Sequence, residues 1–303
     1  MGYGLSWDLA YDVQLMFSYP FMVNAFRAGT IVAVIAATIG WFMVLRAQSF
    51  AGHTLAVVGF PGAAAATWLG VATGYGYFGF CVAGALVIAA LPQHTGRNAS
   101  AEQSAVIGTV QAFALACGYL FVSLYKGFLS GMTNLLFGTI VGVTNTQVLV
   151  LLASAVPCLG VLIAIGRPLL FASIDPDLAR ARGVPVRAVG ALFLVLLGVA
   201  AAGTSQVTGS LLVFALLVAP AATAHKLTSR PSVGIAAAIV LALLATWIGE
   251  TLAFFTVYPI GFWVTTVSFA GYLSASIWRA LADRVGRSPR VSAPAAAPAG
   301  ARS

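Results

Sequence analysis

Two ionisable side chains lie inside apolar runs, His53 in SFAGHTLAVV and Glu250 in TWIGETLAFF. Burying such groups is costly, so each is a candidate for holding or passing an ion. A neutral imidazole is a borderline ligand well suited to zinc, whereas a carboxylate also takes harder cations. His53 reads either as a transient metal ligand or as a hydrogen bond to a neighbouring helix. Glu250 reads as a second pathway ligand, as the partner of His53, or as a protonated carboxyl bonded to a backbone carbonyl. Arg27 lies near the end of its run. His94 and His225 fall in expected loops, and Asp8, Asp12, Glu102 and Asp283 fall in ends or loops where water solvates them.

Other chemistries lack their residues. Three scattered histidines give no HExxH pair, which a membrane-embedded metalloenzyme would need, and no GxxxxGK[ST] loop occurs to cradle ATP phosphates. Cys81, Cys117 and Cys158 stand singly in apolar runs without CxxC spacing. They read as small buried hydrophobes, with no disulfide framework and no metal motif.

The elements that must position these residues are membrane spans. Of 303 residues, 60% are hydrophobic and 7% charged, and the mean hydropathy is +0.99. That composition belongs to a polytopic membrane protein. An α-helix needs about twenty apolar residues to cross about 30 Å of hydrocarbon. Runs of that order occupy 21–45, 53–73, 76–92, 105–125, 147–166, 187–204, 207–224, 232–255 and 260–279, giving an all-α bundle of eight to nine spans. No cleavable signal peptide is visible. Residues 1–20, with Trp7, Tyr11, Phe17 and Tyr19, read as an interfacial lead-in. Residues 21–280 form the transmembrane domain, and 281–303 a cytoplasmic tail whose Pro/Ala/Gly-rich end from Ser292 lacks apolar periodicity. The glycine-broken segment Lys126–Thr146 suits a short helix dipping into the outer leaflet.

A net charge of +8 does not imply nucleic acid here, because the bases cluster in short loops and the tail, all but Arg27 and Lys126. With the Arg-rich tail in the cytoplasm, alternation also puts the loops at 46–52, 93–104, 167–186 and 225–231 inside. Arg27 then sits near an outer end, a mild exception. The stretch Asp175–Val186, DPDLARARGVPV, brings two carboxylates and two arginines between apolar runs. It cannot sit in hydrocarbon. Leu178, Ala179 and Ala181, followed by Gly183 and Pro185, suit one or two helical turns ending at the glycine. On pattern alone it is either an ordinary basic loop or a docking helix for a soluble motor.

Five strings, in order, carry a family resemblance: Gly40–Ala64, Asn134–Val148, Ile174–Val186, Val207–Leu227 and Tyr258–Thr266. Together they resemble the membrane permease subunit of the bacterial ABC transporters that import zinc, manganese or iron. The resemblance covers roughly residues 20 to 280. It implies a permease dimer in the cytoplasmic (inner) membrane, a pair of cytoplasmic ATPase subunits that hold the ATP, and a periplasmic or lipid-anchored metal-binding protein. No cofactor bound by this chain is implied. Residues 174–186 resemble the family's coupling helix, with Asp177, Ala179, Arg180, Ala181 and Gly183 at matching positions. Small alanines let such a helix settle into a groove on the ATPase, and Arg180 and Arg182 can pair with acidic groups on its rim. The family commonly carries Asp where His53 stands and His four residues later, both on one helix face. Here the later position is Val57, which leaves one imidazole. The family position matching Glu250 is usually apolar.

The resulting expectation is a permease importing a divalent metal, zinc first because the candidates are an imidazole and a carboxylate, then manganese, then iron. A related permease for siderophore, haem or cobalamin needs a wide path without ligands, which Val57 permits. An ion-coupled secondary transporter would call for several intramembrane carboxylates and inverted repeats, and one carboxylate and no evident repeat argue against it.

Overall fold

The computed structural model describes residues 9–91, 99–125, 143–209 and 213–286. Among them are eleven helices and no strand: α1 (Leu9–Ser18), α2 (Pro20–Leu45), α3 (Ser49–Leu69), α4 (Thr73–Ala90), α5 (Ala99–Leu124), α6 (Asn145–Ile174), α7 (Pro176–Ala181), α8 (Val186–Thr208), α9 (Val213–Leu227), α10 (Pro231–Phe255) and α11 (Ile260–Gly286). Seven of them, α2, α4, α5, α6, α8, α10 and α11, are long and apolar enough to cross a bilayer. The chain is a multi-pass membrane protein.

Two further helices fill the places of expected spans without meeting that description. At 21 residues α3 is long enough, but its sequence mixes His53, Thr54, Pro61 and small residues. It tolerates them because neighbouring helices enclose it: α4, α5 and α8 pack along it. The apolar α9 has only 15 residues. It lies between α2, α10 and α11. The central helices are therefore α2 and α8, joined to α6 on one side. Many of their buried positions are Ala and Gly, which lets helix backbones approach closely where no hydrophobic gain separates protein from lipid.

Several boundaries differ from the sequence expectation. The span expected to end at residue 166 continues as α6 to Ile174, through Arg167 and Pro168. Arg167 is exposed, so its long stem can run along the helix toward polar surroundings, and Pro168 removes one backbone bond without ending the helix. Glu102 stands in the first turn of α5 rather than in a loop, where a carboxylate complements the helix dipole. The tail expected from residue 281 begins as helix, because α11 runs to Gly286; 287–303 lie outside the described residues. So do 126–142, which hold most of the expected re-entrant segment, and His94. Their neighbour Thr144 caps α6 in a capping box with Gln147. From the expected lead-in, α1 packs through Met16 onto Met22 and Phe255.

Candidate functional site

Every residue of α3 from Ala51 to Ala66 is buried except His53. The imidazole is half-buried and meets the Phe214 ring of α9 edge-on, with centroids 5.1 Å apart. One turn further on, Val57 is buried and offers no donor. Thr54 ties the same turn of α3 to α5, its Oγ1 donating to Gln111 Oε1 at 3.0 Å. His53 is thus a polar, partly accessible group on an otherwise enclosed helix, in edge-on contact with Phe214, and among the described residues its ring nitrogens make no hydrogen bond.

Glu250 is elsewhere. Its side chain is 0% exposed and lies on the α2 face at Gly29, where an added Cβ would fall 2.9 Å from Glu250 Cδ and 2.8 Å from Thr246 Cγ2. Among the described residues neither carboxyl oxygen has a hydrogen-bond partner, nor does Thr246 Oγ1 one turn back. Two of the three readings of Glu250 therefore fail: it is neither hydrogen-bonded to His53 nor to a backbone carbonyl. The reason is depth. Gly29 lies sixteen residues upstream of Leu45, about 24 Å at about 1.5 Å per residue, whereas His53 stands one turn beyond the Arg46–Gln48 connection that joins α2 to α3. Among the described residues, no three His, Cys, Asp or Glu side chains come together as a metal cage.

The charged stretch forms the short helix α7. Asp175 caps it, its carboxylate accepting from Leu178 N–H at 2.9 Å, and Pro176 takes the first position, where a missing N–H costs nothing. The helix stops at Gly183, whose φ of 81° lies in the left-handed region, with Gly183 N–H donating to Arg180 O and Val184 N–H to Ala179 O. Ala179 is fully buried. It anchors α7 on this chain and so cannot be a contact surface, contrary to the expectation for both alanines; Ala181 is exposed. Arg180 pairs with Asp177 at 2.5 Å within the helix, both exposed, a surface pair worth little and readily exchanged for another carboxylate. Arg182 is exposed. The outward face also carries Leu178 at 46% exposure, and Ile174, the last residue of α6, is 71% exposed. These apolar knobs were hidden in the sequence because exposure, not composition, reveals them.

The same end of the bundle gathers other anchors. Arg46 donates from Nη1 to Ser173 Oγ at 3.1 Å and lies over the Phe193 ring, fastening the α2–α3 connection to the end of α6. His225, expected in a loop, occupies the last turn of α9. Its ring stacks on Trp41 at 4.8 Å and its Nε2 lies 3.0 Å from Trp41 O, so it pins α9 to α2.

A protein-family model described as the ABC 3 transport family matches residues 18–279. The chain belongs to the ABC 3 transport family. It is a transport subunit, as the motif resemblance implied. Similar relatives include the "Manganese transport system membrane protein MntC" of Halalkalibacterium halodurans, 27% identical over 268 residues, covering 88% of this chain and 90% of that protein. The "Chelated iron transport system membrane protein YfeC" of Yersinia pestis is 28% identical over 259 residues, with 86% of each covered. The solved structure titled "PsaBC from Streptococcus pneumoniae in complex with Fab" superposes with a TM-score of 0.78 at 24% identity, over 88% of this chain and 95% of that one. That likeness fixes the fold.

Proposed function

We propose that this chain is the permease of an ATP-driven importer of a divalent first-row metal, working as half of a two-fold translocation path. It would sit in the bacterial cytoplasmic membrane with α7 and the C-terminus inside. ATP is bound and hydrolysed by separate ATPase subunits docked on α7, and a periplasmic or lipid-anchored protein delivers the metal. The observation that carries this reading is the pairing, within a family of transporters, of a capped, exposed α7 with an accessible imidazole on the enclosed helix α3. The side assignment rests on the bases: Arg46, Arg180, Arg182, Arg187, Lys226, Arg230 and Arg279 all belong to the α7 end or the joints beside it, and Arg27 to the opposite one.

An imidazole and a carboxylate by themselves favour zinc. The relatives' names speak for manganese and chelated iron, and none of the relatives described above is named for zinc, so we place manganese first and zinc second. His53 serves as a transient ligand on the path, since an ion must leave as easily as it enters, and Glu250 as a separate station nearer the other end. A chelate as cargo is the second reading, favoured by the absence of a second ligand at Val57. Whole-cell metal content distinguishes these in a strain lacking its own importer. Complementation should restore manganese, and His53→Ala should remove that gain. Restored iron only when a chelator accompanies it would favour the chelate.

A further inference from the structure

A basic cavity of about 450 Å3 opens between the C-terminal end of α9, the start of α10 and the end of α11. Lys226, Arg230 and Arg279 line it together with His225, Trp278 and Leu227, and no Asp or Glu is among its described lining residues. Two of the three cations are already fixed. Lys226 Nζ donates to Ser276 Oγ at 2.6 Å and lies 4.1 Å over the Tyr272 ring, and Arg279 donates to the Lys226 carbonyl. The exposed Arg230 stands at the mouth, immediately before α10. No side chain caps α10, so a 25-residue helix adds partial positive charge at the same edge.

The surroundings say what kind of anion fits. Trp278 is 71% exposed and Leu227, Ile277 and Leu281 are all exposed beside the cavity. A tryptophan at this depth suits the headgroup boundary, and apolar side chains below a cluster of bases suit acyl chains rather than water. Basic pockets between spans at the cytoplasmic side bind the head groups of anionic lipids. We infer that this cavity holds the phosphodiester head group of an anionic phospholipid, with the exposed Arg230 facing the phosphate, Lys226 and Arg279 adding positive charge behind it, and Trp278 at the glycerol level. The site is separate from α7 and needs no assumption about cargo.

The test uses the full-length chain in nanodiscs and in detergent, with phosphatidylglycerol, phosphatidylcholine or inorganic phosphate as probe. Native mass spectrometry should show phosphatidylglycerol retained in preference to phosphatidylcholine, less so at high salt. Arg230→Gln should weaken retention about fivefold, the size expected for one base at a membrane surface, and Arg230→Lys should restore most of it. Equal retention of both lipids, or an unchanged Arg230→Gln variant, overturns the inference. So does displacement of the lipid by inorganic phosphate alone, which would mark a soluble-anion site. Loss of ATPase co-purification in Arg230→Gln with lipid retention intact would assign the patch to a protein contact instead. If Arg230→Gln fails to fold, the salt-dependent preference of the wild type decides.

Discussion

At the scale of single residues, the roles of His53 and Glu250 separate cleanly. The His53 imidazole rests edge-on against Phe214 and is half-buried, so its removal costs little packing. His53→Ala is expected to cut metal uptake at least about tenfold, equivalent to about 1.4 kcal/mol in the barrier, with thermal stability near wild type; unchanged uptake would move the path away from α3. Glu250 is the reverse case. Its unpartnered oxygens at a buried helix contact impose a desolvation cost of about 1–3 kcal/mol. Glu250→Leu should therefore raise the melting temperature in detergent while lowering uptake. A stabilised variant with full uptake would assign Glu250 to packing alone.

At the scale of elements, two contacts test the account. The α2–α10 contact is closed by Gly29 against Glu250 and Thr246. Gly29→Ala should destabilise by about 1–3 kcal/mol through overpacking, and Glu250→Ala in the same chain should recover part of it, a non-additive cycle readable by thermal unfolding. On α7, Gly183→Trp strains a left-handed position, and Arg180→Glu reverses the outward charge. Both should abolish ATP-driven uptake while membrane insertion stays normal, and Leu178→Asp should cost ATPase co-purification. Full import with the ATPase bound would dismiss α7 as the docking element. The short helix and its glycine stop were readable from DPDLARARGVPV, because a glycine stop is a local signal. The inward turn of Ala179 and the outward Leu178 were not, because a six-residue helix shows no periodicity that tells one face from another.

At the scale of the whole molecule, apolar run length delivered the all-helical membrane class and the order of elements. It misjudged the places where tertiary packing overrides local pattern. Enclosure by neighbours lets α3 carry polar and small residues, whereas α6 continues through Arg167 and Pro168 with the arginine left exposed. The candidate residues were found by being ionisable in apolar runs, and their separation was legible too, since His53 opens a span that leaves the inner loop 46–52 while Glu250 stands near the far end of a span that leaves the inner loop 225–231. What the sequence did not show is that Glu250 packs against Gly29 of α2.

The central claim is ATP-driven metal import through this chain. Its most direct test is uptake of radiolabelled manganese into proteoliposomes holding the permease, its ATPase and its binding protein, with zinc and iron as competitors. The account predicts ATP-dependent accumulation that is competed by divalent metals, lost in His53→Ala, and lost in Arg180→Glu without loss of insertion. No accumulation of any free metal, with all three components active and a metal chelate taken up instead, would contradict it.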